Sequence, residues 1–139
     1  RQNGTDLPLL ADYSPCKLTT NVPQLESLPL QVYPNRVHLT PLLEVVKWPV
    51  GGYLQLEFDD AYRIPGTRLN FDVKGDLSWG VMEVSADGET WQTVALTRDT
   101  RGRLNGKWED APVKFVRFTN TGEGEQQVYL REFYVVFSL

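Results

Sequence analysis

Cysteine and histidine are nearly missing from this sequence. Cys16 is the one cysteine and His38 the one histidine in 139 residues. A single thiol closes no internal disulfide and builds no zinc site without partners. The two scarcities remove most nucleophilic and metal-assisted chemistry. A Cys16–His38 dyad is the formal exception, and nothing in the sequence around either residue activates it. Cys16 reads as a buried structural thiol and His38 as an ordinary strand-edge histidine. Basic clusters are missing too. The net charge is −4, and Lys107, Lys114 and Arg117 are scattered among acids. No stripe suited to phosphates is present, which excludes a nucleic-acid partner. No apolar run approaches the roughly 18 residues needed to cross a bilayer as a helix, so no membrane partner is expected. The chain opens at Arg1 with neither a methionine nor a signal peptide, as an excised piece or a processed product would.

What is present is ordinary globular composition: 41% hydrophobic and 23% charged residues, enough for one domain with a real core. Residues 1–10 read as a lead-in or linker and 11–139 as a single domain. The Asn3-Gly4-Thr5 sequon matters only in a eukaryotic secretory setting. Six of the nine prolines, from Pro15 to Pro49, fall between residues 11 and 50. That density forbids long helices and central strands, leaving short extended pieces. One helical turn fits Val22 to Leu28, with Pro23 at its first position.

The pattern sharpens from Tyr53. Leu54, Leu56 and Phe58 alternate with Gln55 and Glu57, the period of a half-buried strand. Ile64-Pro65-Gly66 signals a turn. Leu69, Phe71 and Val73 repeat the alternation. Val81 to Ser85 and Trp91 to Leu96 flank Asp87-Gly88, a tight-turn pair. Residues 97–111 read as a long polar loop holding one short strand. Val113 to Asn120 and Gln127 to Phe137 are the last strands. In the latter the apolar phase slips between Leu130 and Phe133, so a bulge near Arg131 and Glu132, or burial on both faces, is expected. Strands at this spacing without an amphipathic helical stripe predict an all-β, antiparallel jelly-roll sandwich.

Several stretches carry a family likeness. Tyr53-Leu-Gln-Leu-Glu-Phe58, Glu83-Val-Ser-Ala-Asp-Gly-Glu-Thr-Trp91, Val113-Lys-Phe-Val-Arg-Phe118 and Leu130-Arg-Glu-Phe133 resemble the strands of discoidin-like (F5/8 type C) domains, over residues 50–138. A second likeness covers almost the whole chain. Asn21 to Gln31, Glu44 to Trp48, Ala111 to Asn120 and Glu125 to Arg131 resemble the C-terminal domain of glycoside hydrolase family 84 enzymes from gut Bacteroides. Those are β-N-acetylglucosaminidases of the O-GlcNAcase type, some labelled hyaluronidases. The resemblance implies a non-catalytic C-terminal accessory domain whose partner is the parent catalytic domain, in the periplasm or at the cell surface. The family's paired catalytic aspartates sit on a barrel that this sequence lacks. Asp59-Asp60 does not replace them, because consecutive strand residues point to opposite faces. The pair reads as a solvated turn at a strand end.

Discoidin-like modules of bacterial glycosidases often bind carbohydrate, commonly beside a structural calcium. A sugar site needs an aromatic platform and polar groups aimed at hydroxyls. Trp91 and Trp48 read as core. Trp79 and Trp108 lie in or beside loops and are the candidate platforms, with Arg101, Arg103 and Asn105 as candidate hydrogen-bonding partners. The plainer reading of Arg101 to Asn105 is a solvated charged loop. Calcium takes six to eight oxygens, several from carboxylates. Residues 40–48, which precede the first core strand, offer Glu44 alone, so no metal or other cofactor is assigned. Arg117 and Arg131 stand within apolar strands and read as partners of a strand neighbour such as Glu83 or Glu132. Two functions follow. One is an accessory domain that packs on, or helps assemble, a family 84 enzyme. The other is a carbohydrate-binding module for glycans containing N-acetylglucosamine. A free-standing enzyme is excluded for want of a nucleophile, a paired acid and base, or a metal cluster.

Overall fold

A computed structural model of the chain describes residues 16–26, 30–33, 36–39, 45–63, 66–71, 78–98, 100, 104–108 and 112–136. The proline-rich first third forms β1 (Cys16–Thr20), a 3-10 turn (Pro23–Leu25) with proline at its start, β2 (Leu30–Tyr33), β3 (Arg36–Leu39) and β4 (Val46–Trp48). Longer strands follow: β5 (Tyr53–Arg63), β6 (Gly66–Phe71), β7 (Gly80–Ser85), β8 (Gln92–Arg98), β9 (Leu104–Lys107) and β10 (Pro112–Asn120). The chain ends in β11 (Gln126–Val128) and β12 (Leu130–Val136). Pro112, which has no N–H to give, takes the first position of β10, where a ladder tolerates it.

Every pairing among the described residues is antiparallel. One sheet runs β1-β5-β10-β7-β8 and the other runs β8-β9-β6-β12-β3-β2, with β8 common to both. The expected antiparallel sandwich is therefore what the chain forms. A separate ribbon pairs β4 with β11. The core lies between the sheets, because alternate residues of each strand point inward. Leu54, Leu56 and Phe58 of β5 meet Val116 and Phe118 of β10, Met82 and Val84 of β7, and Leu130 and Phe133 of β12. Trp48 is fully buried, as a core residue should be, and Val46 and Val128 of the ribbon join it.

Three expectations are corrected in detail. Asp59 and Asp60 do not end a strand. Val113 faces Tyr62 while Phe115 faces Glu57, so residues 58–61 of β5 bulge against Lys114 alone. Both aspartates are exposed. Asp59 accepts the Tyr62 hydroxyl at 2.7 Å, and Asp60 accepts the N–H of Ala61 at 2.8 Å. The segment Gln127 to Phe137 is not one strand: it breaks at Tyr129, with β11 on β4 and β12 on β6 and β3. The bulge expected near Arg131 is present, as a register shift between Leu130 and Glu132. Trp91 is half-buried rather than core. The Ile64-Pro65 turn and residues 1–10 lie outside the described residues.

Candidate binding cleft

A concavity arises from a change of partner in β8. That strand pairs with β7 through Gln92, Thr93 and Val94. From Ala95 to Arg98 it pairs with β9 instead. The start of β7 stays with β10, where Gly80 faces Asn120. The two strands therefore separate, and a cleft of about 340 Å³ opens between Ser78–Met82 and Thr93–Arg98, closed below by Leu104. That volume falls in the range of small-ligand sites. Buried Met82, Val94 and Leu104 make its floor, together with half-buried Val81 and Leu96. Exposed Ser78, Thr93 and Arg98 line its rim. Val94, Leu96 and Arg98 share one face of β8 by the two-residue period, so an apolar track ends on a charge.

The upper edge of the cleft is held from behind. Trp79, between Ser78 and Gly80, is half-buried in an aromatic cluster. Its ring stands edge-on to Phe118 at 5.4 Å and to Trp48 at 6.0 Å. Its carbonyl accepts the N–H of Thr121 at 2.9 Å. Gly80 leaves room for the Phe118 ring, since a Cβ there would lie 2.3 Å from Phe118 Cζ. Behind these stands Asn120, buried to 1% exposure. Its amide donates to the carbonyls of Trp48 (3.0 Å) and Gly124 (3.1 Å), and its oxygen accepts the N–H of Gly122 (2.9 Å).

The other sequence candidates take separate places. Trp108 follows β9 and packs half-buried against the core, with its indole nitrogen buried and unpartnered. Asn105 is half-buried in β9, opposite Arg68 and Thr97. It alternates with Leu104, which faces the cleft. Arg101 and Arg103 lie outside the described residues, as does the side chain of Arg131. Ser78 and Gly80, on either side of Trp79, and Leu104, next to Asn105, line the cleft. Sequence reasoning passed over Thr93, Leu96 and Arg98. The available signal was a strand whose apolar face, Val94 then Leu96, ends on arginine.

Two other places carry charge. On the outer side of the first sheet, the Arg117 guanidinium lies 3.8 Å over the Trp91 ring and pairs with Glu83 at 3.3 Å. Arg117 thus has the strand-neighbour partner expected of it. At the β5 bulge, a pocket of about 420 Å³ lies among Cys16, Lys17, Glu57, Asp59 and Lys114. It is larger than the cleft, but its charges answer one another: Lys17 stands 3.8 Å from Glu57, and two ammonium groups offset two carboxylates. Burial first, then the charges of Asp59 and Glu57, push the Cys16 thiol up to about 12. It stays protonated at neutral pH, and no thiolate nucleophile is available there. Among the described residues no three His, Cys, Asp or Glu side chains converge on a metal-sized site, and Glu44 lies outside them.

The fold defines a class: an all-β antiparallel sandwich with an open, apolar-floored cleft. Within the sequence, residues 7–70 match carbohydrate binding module family 32, a family of non-catalytic, discoidin-like jelly rolls. The matched stretch holds β1 to β5 and most of β6. The cleft is built from residues 78–104 and lies beyond it.

Proposed function

We propose that this chain is a carbohydrate-binding module whose glycan seats in the cleft between β7 and β8. The observation that carries this reading is the family 32 match over residues 7–70. The cleft adds support of a different kind. Apolar Val81, Leu96 and Leu104 suit the carbon face of a pyranose or the methyl of an N-acetyl group, and the Ser78 hydroxyl suits a ring hydroxyl. Trp79 and Asn105, with Arg101 and Arg103, are proposed as the margins of that site, and Trp108 as a support from the end of β9. Glycans containing N-acetylglucosamine are the proposed ligands.

Of the two functions expected from sequence, the match favours carbohydrate binding over a purely docking role. Attachment to a family 84 β-N-acetylglucosaminidase, in the periplasm or at the cell surface, is proposed from the sequence likeness and is compatible with a glycan-binding role.

Nuclear magnetic resonance titration with N-acetylglucosamine, its β-linked dimer and hyaluronan fragments tests the reading. Saturable shifts at Ser78, Gly80 and Leu96 amides and at the Trp79 indole are expected. Silence at millimolar sugar would sink it and return the chain to the docking role.

A further inference from the structure

We infer that the site is longer than one sugar: a glycan chain leaving the cleft continues over the outer face of the first sheet, where Glu83 and Arg117 hold the next unit. The inference rests on the carbohydrate reading and extends its site. Thr93 is the seam. It lines the cleft, and it alternates with buried Val94, so it turns toward the outer face of the sheet. On β7, Val81 also lines the cleft and alternates with buried Met82. Two steps across the ladder complete the path. Thr93 faces Glu83, and Glu83 faces Arg117. At the usual spacing of neighbouring strands, Arg117 stands about 10 Å from Thr93. That is within reach of the second unit of a chain whose first unit lies in the cleft.

The pair is prepared for a sugar. The Arg117 guanidinium lies 3.8 Å over the Trp91 ring, and its Nη2 donates to Glu83 at 3.3 Å. Stacked and paired, it is held in one orientation before a ligand arrives, which lowers the cost of binding. Both side chains stay reachable, at 29% exposure for Arg117 and 24% for Glu83. The protein does not saturate the guanidinium, since Arg117 Nε has no partner. A guanidinium only donates hydrogen bonds and a carboxylate only accepts them. Side by side they answer the vicinal hydroxyls of a sugar, each of which does both. Aromatic surface accompanies them. Phe115 shares the outward face of β10 with Arg117, and its ring lies 6.0 Å from that of Trp91. The solvated face of an antiparallel sheet is ordinarily polar, yet both rings are half-buried there. The carbon face of a sugar suits what remains exposed.

N-acetylglucosamine and its β-linked dimer, titrated into the whole chain and followed by amide and indole shifts, test this. The dimer is expected to bind about tenfold more tightly, the equivalent of one added hydrogen bond to a charged group. The Trp91 indole should move with the dimer and stay still with the monosaccharide. In Arg117→Gln the ratio of the two affinities should fall to about one, while Arg117→Lys, a point charge without the fork, should keep part of it. Dispersed amide spectra of both variants would establish that they fold. Equal binding of monosaccharide and dimer to the unsubstituted chain would overturn the second subsite and leave the carbohydrate reading standing. So would an Arg117→Gln variant that keeps the full ratio. No shift with either sugar would overturn both.

Discussion

At the scale of single residues, the side chain that does most to shape the loop end is neither aromatic nor charged. Asn120 joins two turns, the one after β4 and the one after β10. Its amide holds the Trp48 and Gly124 carbonyls and its oxygen holds the Gly122 N–H. Its backbone bonds to Gly51 and Gly52. Replacing it with alanine strands buried partners, so Asn120→Ala is expected to cost about 3 kcal/mol, read as a lowered midpoint in urea at unchanged slope. No sequence pattern flags this residue, because an asparagine at a strand end looks like any turn former. Trp48 was legible, since its neighbours Pro49 and Gly51-Gly52 mark a turn packed on it. Trp91 was not. Its place over Arg117 depends on a contact between strands that no local period reveals.

Among elements, the β7–β8 hairpin shows how much a short motif determines. Gly88 adopts the positive φ of 81° that the Asp87-Gly88 pair announces. The Asp87 carboxylate accepts the N–H of Thr90 at 2.9 Å and of Glu89 at 2.8 Å. Those bonds, the Thr90 N–H foremost, hold its pKa below the ordinary carboxylate range. A carboxyl group depressed in the folded state contributes stability above its unfolded value and loses it as pH falls through the folded one. The melting temperature should therefore decline on the acid side of the ordinary carboxylate range. Asp87→Asn keeps an acceptor oxygen and does not titrate, so its decline should be shallower when melting curves of the two proteins are compared across that window. Other element-level features were hidden for a physical reason. Strand pattern reports which face is buried, not which neighbour is paired. The alternation of β5 therefore gave its inward residues but not the four-residue bulge at Phe58–Ala61. The phase slip near Arg131 gave the bulge in β12 but not the break at Tyr129.

For the whole molecule, the sandwich was legible because turn signals at regular spacing leave few other ways to bury alternating strands. The cleft was not, because it arises from tertiary divergence of two strands that pair for only part of their length. A ligand seated there binds the folded state alone and should stabilise all of it. At a hundredfold excess over its dissociation constant the gain is about 2.7 kcal/mol. For a chain of this size that raises the melting temperature by about 8 °C, which a thermal scan with and without glycan measures. An unchanged melting temperature under saturating glycan would place the ligand off the folded sandwich.

β8 gives its hydrogen bonds first to one sheet and then to the other. Mechanically it is a fulcrum: a small change in the angle between the sheets is concentrated where the strand changes hands. The cleft lies at that point, so its width registers the relative lean of the two halves, and whatever fills it works as a wedge that fixes the angle. Substitutions far from the sugar, deep in the core between the sheets, would then retune affinity without touching the ligand.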